Sequence, residues 1–112
     1  MVEIRSYHYE PEKFEAYKVW ALDEAVPYLK ENLDIVGFWI DNGASPELSG
    51  SSPAPQPIGS ANITWIIRWP DMEARNIGHE KIFQGADWAN IWERHPDANG
   101  YLQMEARFAD EI

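Results

Sequence analysis

The segment Val2-Glu3-Ile4-Arg5-Ser6-Tyr7-His8-Tyr9 alternates in character from residue to residue, the period of a strand with two unlike faces. Glu10-Pro11 closes it and opens a helix. Proline in a first helical turn sacrifices no intrahelical bond, and Glu10, Glu12 and Glu15 stand at the positive end of the helix dipole. Phe14, Tyr17, Ala21, Ala25 and Leu29 then recur at helical spacing, with Trp20 flanking the stripe. Pro27 falls late in this helix and removes one backbone bond, which predicts a kink or an early end to its regular part. Ile35 to Ile40 reads as a second strand, apolar on both faces and stopped by Asp41-Asn42-Gly43.

Residues 44–60 hold four prolines and five serines, a composition unable to form a ladder, and read as a long excursion between two strands. Either an arm around a partner subunit or a mobile loop would have this composition. Asn62 to Trp69 returns to strand character, with Ile63, Trp65, Ile67 and Trp69 on one side. Pro70-Asp71 ends it, and Asp71 is the expected N-cap of a helix in which Met72, His79 and Phe83 share a face. Gly85 breaks that helix, and Asp87 is expected to cap a short one carrying Trp88, Ile91, Trp92 and His95. Pro96 and Asn99-Gly100 then turn the chain into a last alternating strand, Tyr101 to Phe108. The order β-α-β-β-α-β over residues 1–112 predicts one α+β domain of ferredoxin-like fold, a four-stranded antiparallel sheet with helices on one face.

Strand parity predicts which residues each face carries. Val2, Ile4, Ser6 and His8 are expected under the helices with Val36, Phe38, Ile40, the Ile63–Trp69 series, Leu102, Met104, Ala106 and Phe108. The far face then receives Glu3, Arg5, Tyr7, Ile35, Trp39, Ile66, Arg68, Glu105 and Arg107 among others. Aromatics mixed with balanced charges suit a sheet-to-sheet homodimer interface, so Glu3, Arg5, Tyr7, Trp39, Ile66, Arg68, Glu105 and Arg107 are the predicted dimer face.

Composition narrows the function classes. The chain has 112 residues, 45% hydrophobic, enough for one core. Six tryptophans exceed what such a core needs and favour a pocket or a large interface. A net charge of −10 argues against nucleic acid and anionic membrane surfaces. No apolar run approaches the roughly 20 residues that cross a bilayer. The absence of cysteine excludes disulfides, thiol catalysis and thiolate metal sites. An acidic, cysteine-free chain whose first strand begins at its second residue reads as cytoplasmic, without a targeting segment.

Five blocks in order along the chain resemble the NIPSNAP family: Ile4-Arg5-Ser6-Tyr7, Pro27-Tyr28-Leu29-Lys30, Val36-Gly37-Phe38-Trp39, Thr64 to Asp71, and Ala86-Asp87-Trp88. The resemblance implies a dimeric α+β barrel, in which two ferredoxin-like subunits pair sheet against sheet. It also implies a wider superfamily that holds cofactor-free monooxygenases, haem-degrading enzymes and dye-decolourising peroxidases, as well as proteins with no known chemistry. The family offers no catalytic motif, so no role transfers to Arg5, Tyr7 or Trp88. The 44–60 insertion departs from it, since a tight hairpin is expected there.

Candidate chemistry rests on few residues. His8 and His79 are expected to converge on the helix–sheet layer, where a pocket walled by Trp20, Trp65, Trp69 and Trp88 would let one act as a base, or both ligate haem. The simpler reading makes both histidines satisfied members of the core edge. His95, at a helix end before Pro96, reads as structural. His79-Glu80 lacks a second histidine one turn on, so no metal site is expected, and no glycine pattern cradles a phosphate. Two functions follow: a homodimeric binder of a small apolar or aromatic ligand needing no cofactor, or a cofactor-independent monooxygenase or related converting enzyme.

Overall fold

A computed structural model describes residues 1–112. Strand β1 spans Val2–Tyr9 and leads through a short 3-10 turn, Pro11–Lys13, into helix α1, Phe14–Trp20. A π-helical segment, Ala21–Ala25, joins α1 to α2, Val26–Asn32. Pro27 accounts for the local geometry: it has no N–H to donate, and one residue earlier the Val26 N–H reaches back to the Ala21 carbonyl. The wide turn lets the helix run through the proline. Tyr17, Trp20, Ala21, Ala25 and Leu29 are all buried on the predicted stripe.

Strands β2 (Ile35–Ile40), β3 (Ile63–Arg68) and β4 (Tyr101–Ala109) complete an antiparallel sheet of order β2-β3-β1-β4. Helix α3, Met72–Phe83, is capped by the Asp71 carboxylate, which accepts from the Ala74 N–H at 2.8 Å. Helix α4, Ala86–Trp92, starts two residues earlier than predicted, with Gly85 as N-cap, so Asp87 lies inside the first turn. The fold is the predicted ferredoxin-like β-α-β-β-α-β. No helix is long and apolar enough to cross a membrane.

The register corrects the faces of β1. Glu3 stands opposite Ile67 and Phe108, Arg5 opposite Trp65 and Ala106, and Tyr7 opposite Ile63 and Met104. Glu3, Arg5, Tyr7 and Tyr9 therefore lie under the helices, while Val2, Ile4, Ser6 and His8 take the far face. Burying two tyrosines outweighs burying valine and isoleucine. Tyr9 meets Tyr17 and Tyr101 at ring-centroid distances of 4.9 Å each, and Tyr7 meets Tyr101 at 5.6 Å.

Irregular pairing shifts two more residues. Between Ile35 and Gly37 the β2 register slips, so Ile35 faces Ile67 and packs on the core while Val36 is exposed. A slip after His8 pairs Tyr9 with Tyr101, which joins the aromatic cluster and leaves Leu102 exposed.

Residues 41–62, which contain the predicted 44–60 excursion, are nearly all exposed, and at their base the Asp41 N–H donates to the Asn62 carbonyl at 2.9 Å. Gly43 and Gly59, near its ends, have φ of 87° and 79°, a left-handed backbone that favours glycine. Asn62 ends it firmly: its side-chain oxygen accepts from the Tyr9 N–H at 2.9 Å, and its amide donates to the Tyr9 carbonyl at 2.8 Å.

Candidate functional site

The site begins with a carboxylate that hydropathy alone would put outside. Glu3 is fully buried. Its Oε1 accepts from Arg75 Nε and from Trp69 Nε1, each at 3.0 Å, and its Oε2 accepts from Arg75 Nη2 at 2.9 Å and Arg5 Nη1 at 2.8 Å. Burial alone would raise its pKa. The Arg75 hydrogen bonds, the Arg5 charge and the Trp69 N–H overcome that and hold the carboxyl below its ordinary range. Two guanidiniums share one carboxylate, so the cluster carries one uncancelled positive charge.

Helix α3 supplies this polarity from above. Arg75 and His79 sit one turn apart on its inner side, where Gly78 lets the Trp69 indole approach; a Cβ there would lie 2.5 Å from the ring. His79 Nε2 is 3.4 Å from Arg5 Nη1. Burial, and then the charges of Arg75 and Arg5, lower the His79 pKa, which keeps the ring neutral. Arg5 Nε donates to the Tyr7 hydroxyl at 2.7 Å, and its guanidinium carbon lies 5.5 Å from the Trp65 ring centroid.

Beside this cluster a cavity of about 440 Å³ opens between the sheet and the helices. Arg5, Tyr7 and His79 form its polar wall. Trp20, Trp65, Trp88 and Trp92 form most of its aromatic wall, with Tyr17, Tyr101, Phe38 and Phe83, and with Ala25, Leu29, Ala89 and Met104 filling in. The volume falls within the usual range for small-molecule sites, and so does an apolar lining with few polar groups. Burial raises the pKa of Tyr7, Tyr17 and Tyr101, so all three hydroxyls stay protonated.

Of the predicted ligand residues, Trp20, Trp65 and Trp88 line this cavity and Trp69 does not, because its indole is committed to Glu3. Of the predicted bases, His79 lines it. His8 is on the opposite face of the sheet, so the two histidines do not converge and a bis-histidine haem site is not formed. Glu3, Arg5 and Tyr7, predicted for the dimer face, belong to the helix side. Trp39, Ile66, Arg68, Glu105 and Arg107 are on the far face as expected. Arg68 is paired there with Glu111 at 2.8 Å. Sequence reasoning missed Arg5, Tyr7, Tyr101 and Trp92 as cavity residues. The available signal was helix α3, whose apolar Met72 and Ile77 are exposed while Arg75 and His79 turn inward, an inversion that needs a charged partner on the sheet. No three His, Cys, Asp or Glu side chains gather as a metal site.

His95 marks the rim. It lies against Trp20 and Trp92 at centroid distances of 4.4 and 4.5 Å, and its Nδ1 accepts from the Asp97 N–H at 3.0 Å. That bond places the proton on Nε2, which is 2.8 Å from the Tyr101 hydroxyl. Burial lowers its pKa from 6.5 to about 4, the Asp97 charge opposing. Between those values the unfolded chain binds more protons than the folded one. Stability is therefore complete above pH 6.5 and falls as pH drops towards 4, by on the order of 3 kcal/mol. Urea unfolding at pH 7, 5.5 and 4 will read this slope, and His95→Gln should remove its share; an unchanged slope would refute the burial argument.

These features define a ferredoxin-like α+β domain with a ligand-sized cavity between helices and sheet. Its fold is that of the NIPSNAP domain proteins. An uncharacterized NIPSNAP domain protein from Burkholderia xenovorans superposes with a TM-score of 0.71 at 16% identity, over 99% of this chain and 93% of that one. A NIPSNAP family protein with unknown function from Agrobacterium tumefaciens gives 0.65 at 19% identity, over 95% and 82%. Another from the same organism gives 0.66 at 15% identity, over 95% and 80%. No protein-family model matches the chain, and no curated protein does.

Proposed function

We propose that the chain is a cytoplasmic homodimer that binds a small apolar or aromatic molecule in the helix–sheet cavity. The observation that carries this is the cavity itself, which thirteen apolar and aromatic side chains, one guanidinium and one imidazole line. A close-packed interior closes gaps of this size unless something occupies them. The far face of the sheet supports the dimer: no helix covers it, and it presents Trp39, Ile66 and Ile4 beside Glu105 and Arg107.

Titration of tryptophan fluorescence with flat aromatic compounds, quinones and haem among them, tests the binding role. Saturable quenching is expected after inner-filter correction, weakened when Trp65→Leu removes a cavity wall. If no compound quenches saturably, the proposal fails. A cofactor-independent converting enzyme is the second reading, favoured by the neutral His79 at the cavity wall beside Arg5. His79→Ala should then abolish turnover while quenching persists; unchanged turnover would exclude His79 as the base.

A further inference from the structure

The polar wall of the cavity has more donors than acceptors. Arg5 uses Nε on Tyr7 and Nη1 on Glu3 and His79, and its Nη2 makes no hydrogen bond within the protein. The Tyr7 hydroxyl accepts from Arg5, which leaves its own proton to donate. Trp65 is almost completely buried, and its Nε1–H has no hydrogen-bond partner. It acts on the Tyr7 oxygen only as a weak donor, lowering that hydroxyl's pKa against the larger effect of burial, at a geometry short of a full hydrogen bond. A buried indole N–H without a full partner is costly, so an acceptor is missing from this wall.

Charge points the same way. In a chain of net charge −10, the positive charge left over when Arg5 and Arg75 share Glu3 sits at the edge of an apolar cavity. Glu3 has both oxygens occupied, so the cluster has no further acceptor of its own for that charge and is suited to an anion from outside.

We infer that the ligand carries an acidic oxygen, a carboxylate or a phenolate on a flat apolar body, and that Arg5, Tyr7 and the Trp65 N–H bind that oxygen. The inference rests on the binding role proposed above and specifies its ligand class. The apolar body lies among the indoles of Trp20 and Trp88. The acidic oxygen faces β1 and β3.

Calorimetric titration with 2-naphthoate, its neutral isostere 2-naphthamide and 2-methylnaphthalene tests it. Wild-type protein should bind the carboxylate about tenfold to a hundredfold more tightly than the amide, the usual gain of a charged hydrogen-bond acceptor. Arg5→Gln should erase the preference, and Trp65→Phe, which keeps the ring and deletes the N–H, should reduce it. Because Arg5 also supports Glu3, Trp65→Phe and Tyr7→Phe carry the test if Arg5→Gln does not fold. Equal affinity for all three compounds overturns the inference and leaves the apolar binder standing. A carboxylate preference that survives Trp65→Phe, Tyr7→Phe and Arg5→Gln also overturns it, by removing these donors from the site. If none of the three compounds binds, the binding role itself falls and the inference with it.

Discussion

Glu3→Ala is expected to be the most damaging single substitution in the chain, lowering unfolding free energy by about 3–5 kcal/mol. The carboxylate accepts from three convergent donors, Arg5, Arg75 and the Trp69 indole, and it is fully buried. Removing it leaves two guanidiniums facing each other across a largely desolvated gap with no counter-charge. A domain of this size commonly has about 5–15 kcal/mol to lose, so the variant should stand near the edge of folding. Urea denaturation followed by circular dichroism measures the loss. Combining Glu3→Ala with Arg75→Ala should cost less than the sum of the two, because the second change removes a charge that the first stranded. A Glu3→Ala loss under about 1 kcal/mol, with additive behaviour, would mean that the cluster is a solvated ion pair.

Trp39→Asp is expected to turn a dimer into a monomer. The indole lies over Gly37 on the far face, where an added Cβ at that glycine would meet the ring at 2.5 Å, and nearly half of its surface is open in the single chain. Sheet-to-sheet pairing would bury it near the centre of the interface, and aspartate there would enter without a partner. Light scattering at low micromolar concentration should give a dimer mass for the wild type and a monomer mass, or an unfolded chain, for the variant. Ile66→Asp should behave alike. A wild-type chain that is monomeric and stable at that concentration would remove the assembly from the proposal.

The elements were legible because the periods were clean: the Tyr17-to-Leu29 stripe, the Asp71 cap and the alternation in β3 each had one reading. The face of β1 was not, because its two half-strands are each half apolar. Val2 and Ile4 compete with Tyr7 and Tyr9, and the decision lies with residues far along the chain, Arg75 and Trp69 for Glu3 and Tyr101 for the tyrosines. The slips beside Ile35 and His8 have no local marker that period counting detects. Three of the four predicted cavity tryptophans were found for a reason that survives these errors: large rings leave shaped gaps wherever they gather. The arginine and tyrosines of the polar wall were hidden by the parity of one strand.

The position of β1 has a consequence for the order in which the protein can be made. This strand, the earliest in the chain, lies between β3 and β4, the latest two, and its other neighbours in sequence give it no ladder partner. The excursion at 41–62 also makes β2–β3 a poor early hairpin, since closing a longer loop costs more chain entropy. During synthesis the segment that becomes the middle of the sheet must wait for Ile63–Arg68 and Arg75 before one edge and Glu3 find their partners, and its other edge stays open until Tyr101–Ala109 has emerged. Folding should therefore be slow, and an interrupted chain that stops before β4 would present a bare strand edge to whatever chaperone or neighbouring chain meets it first.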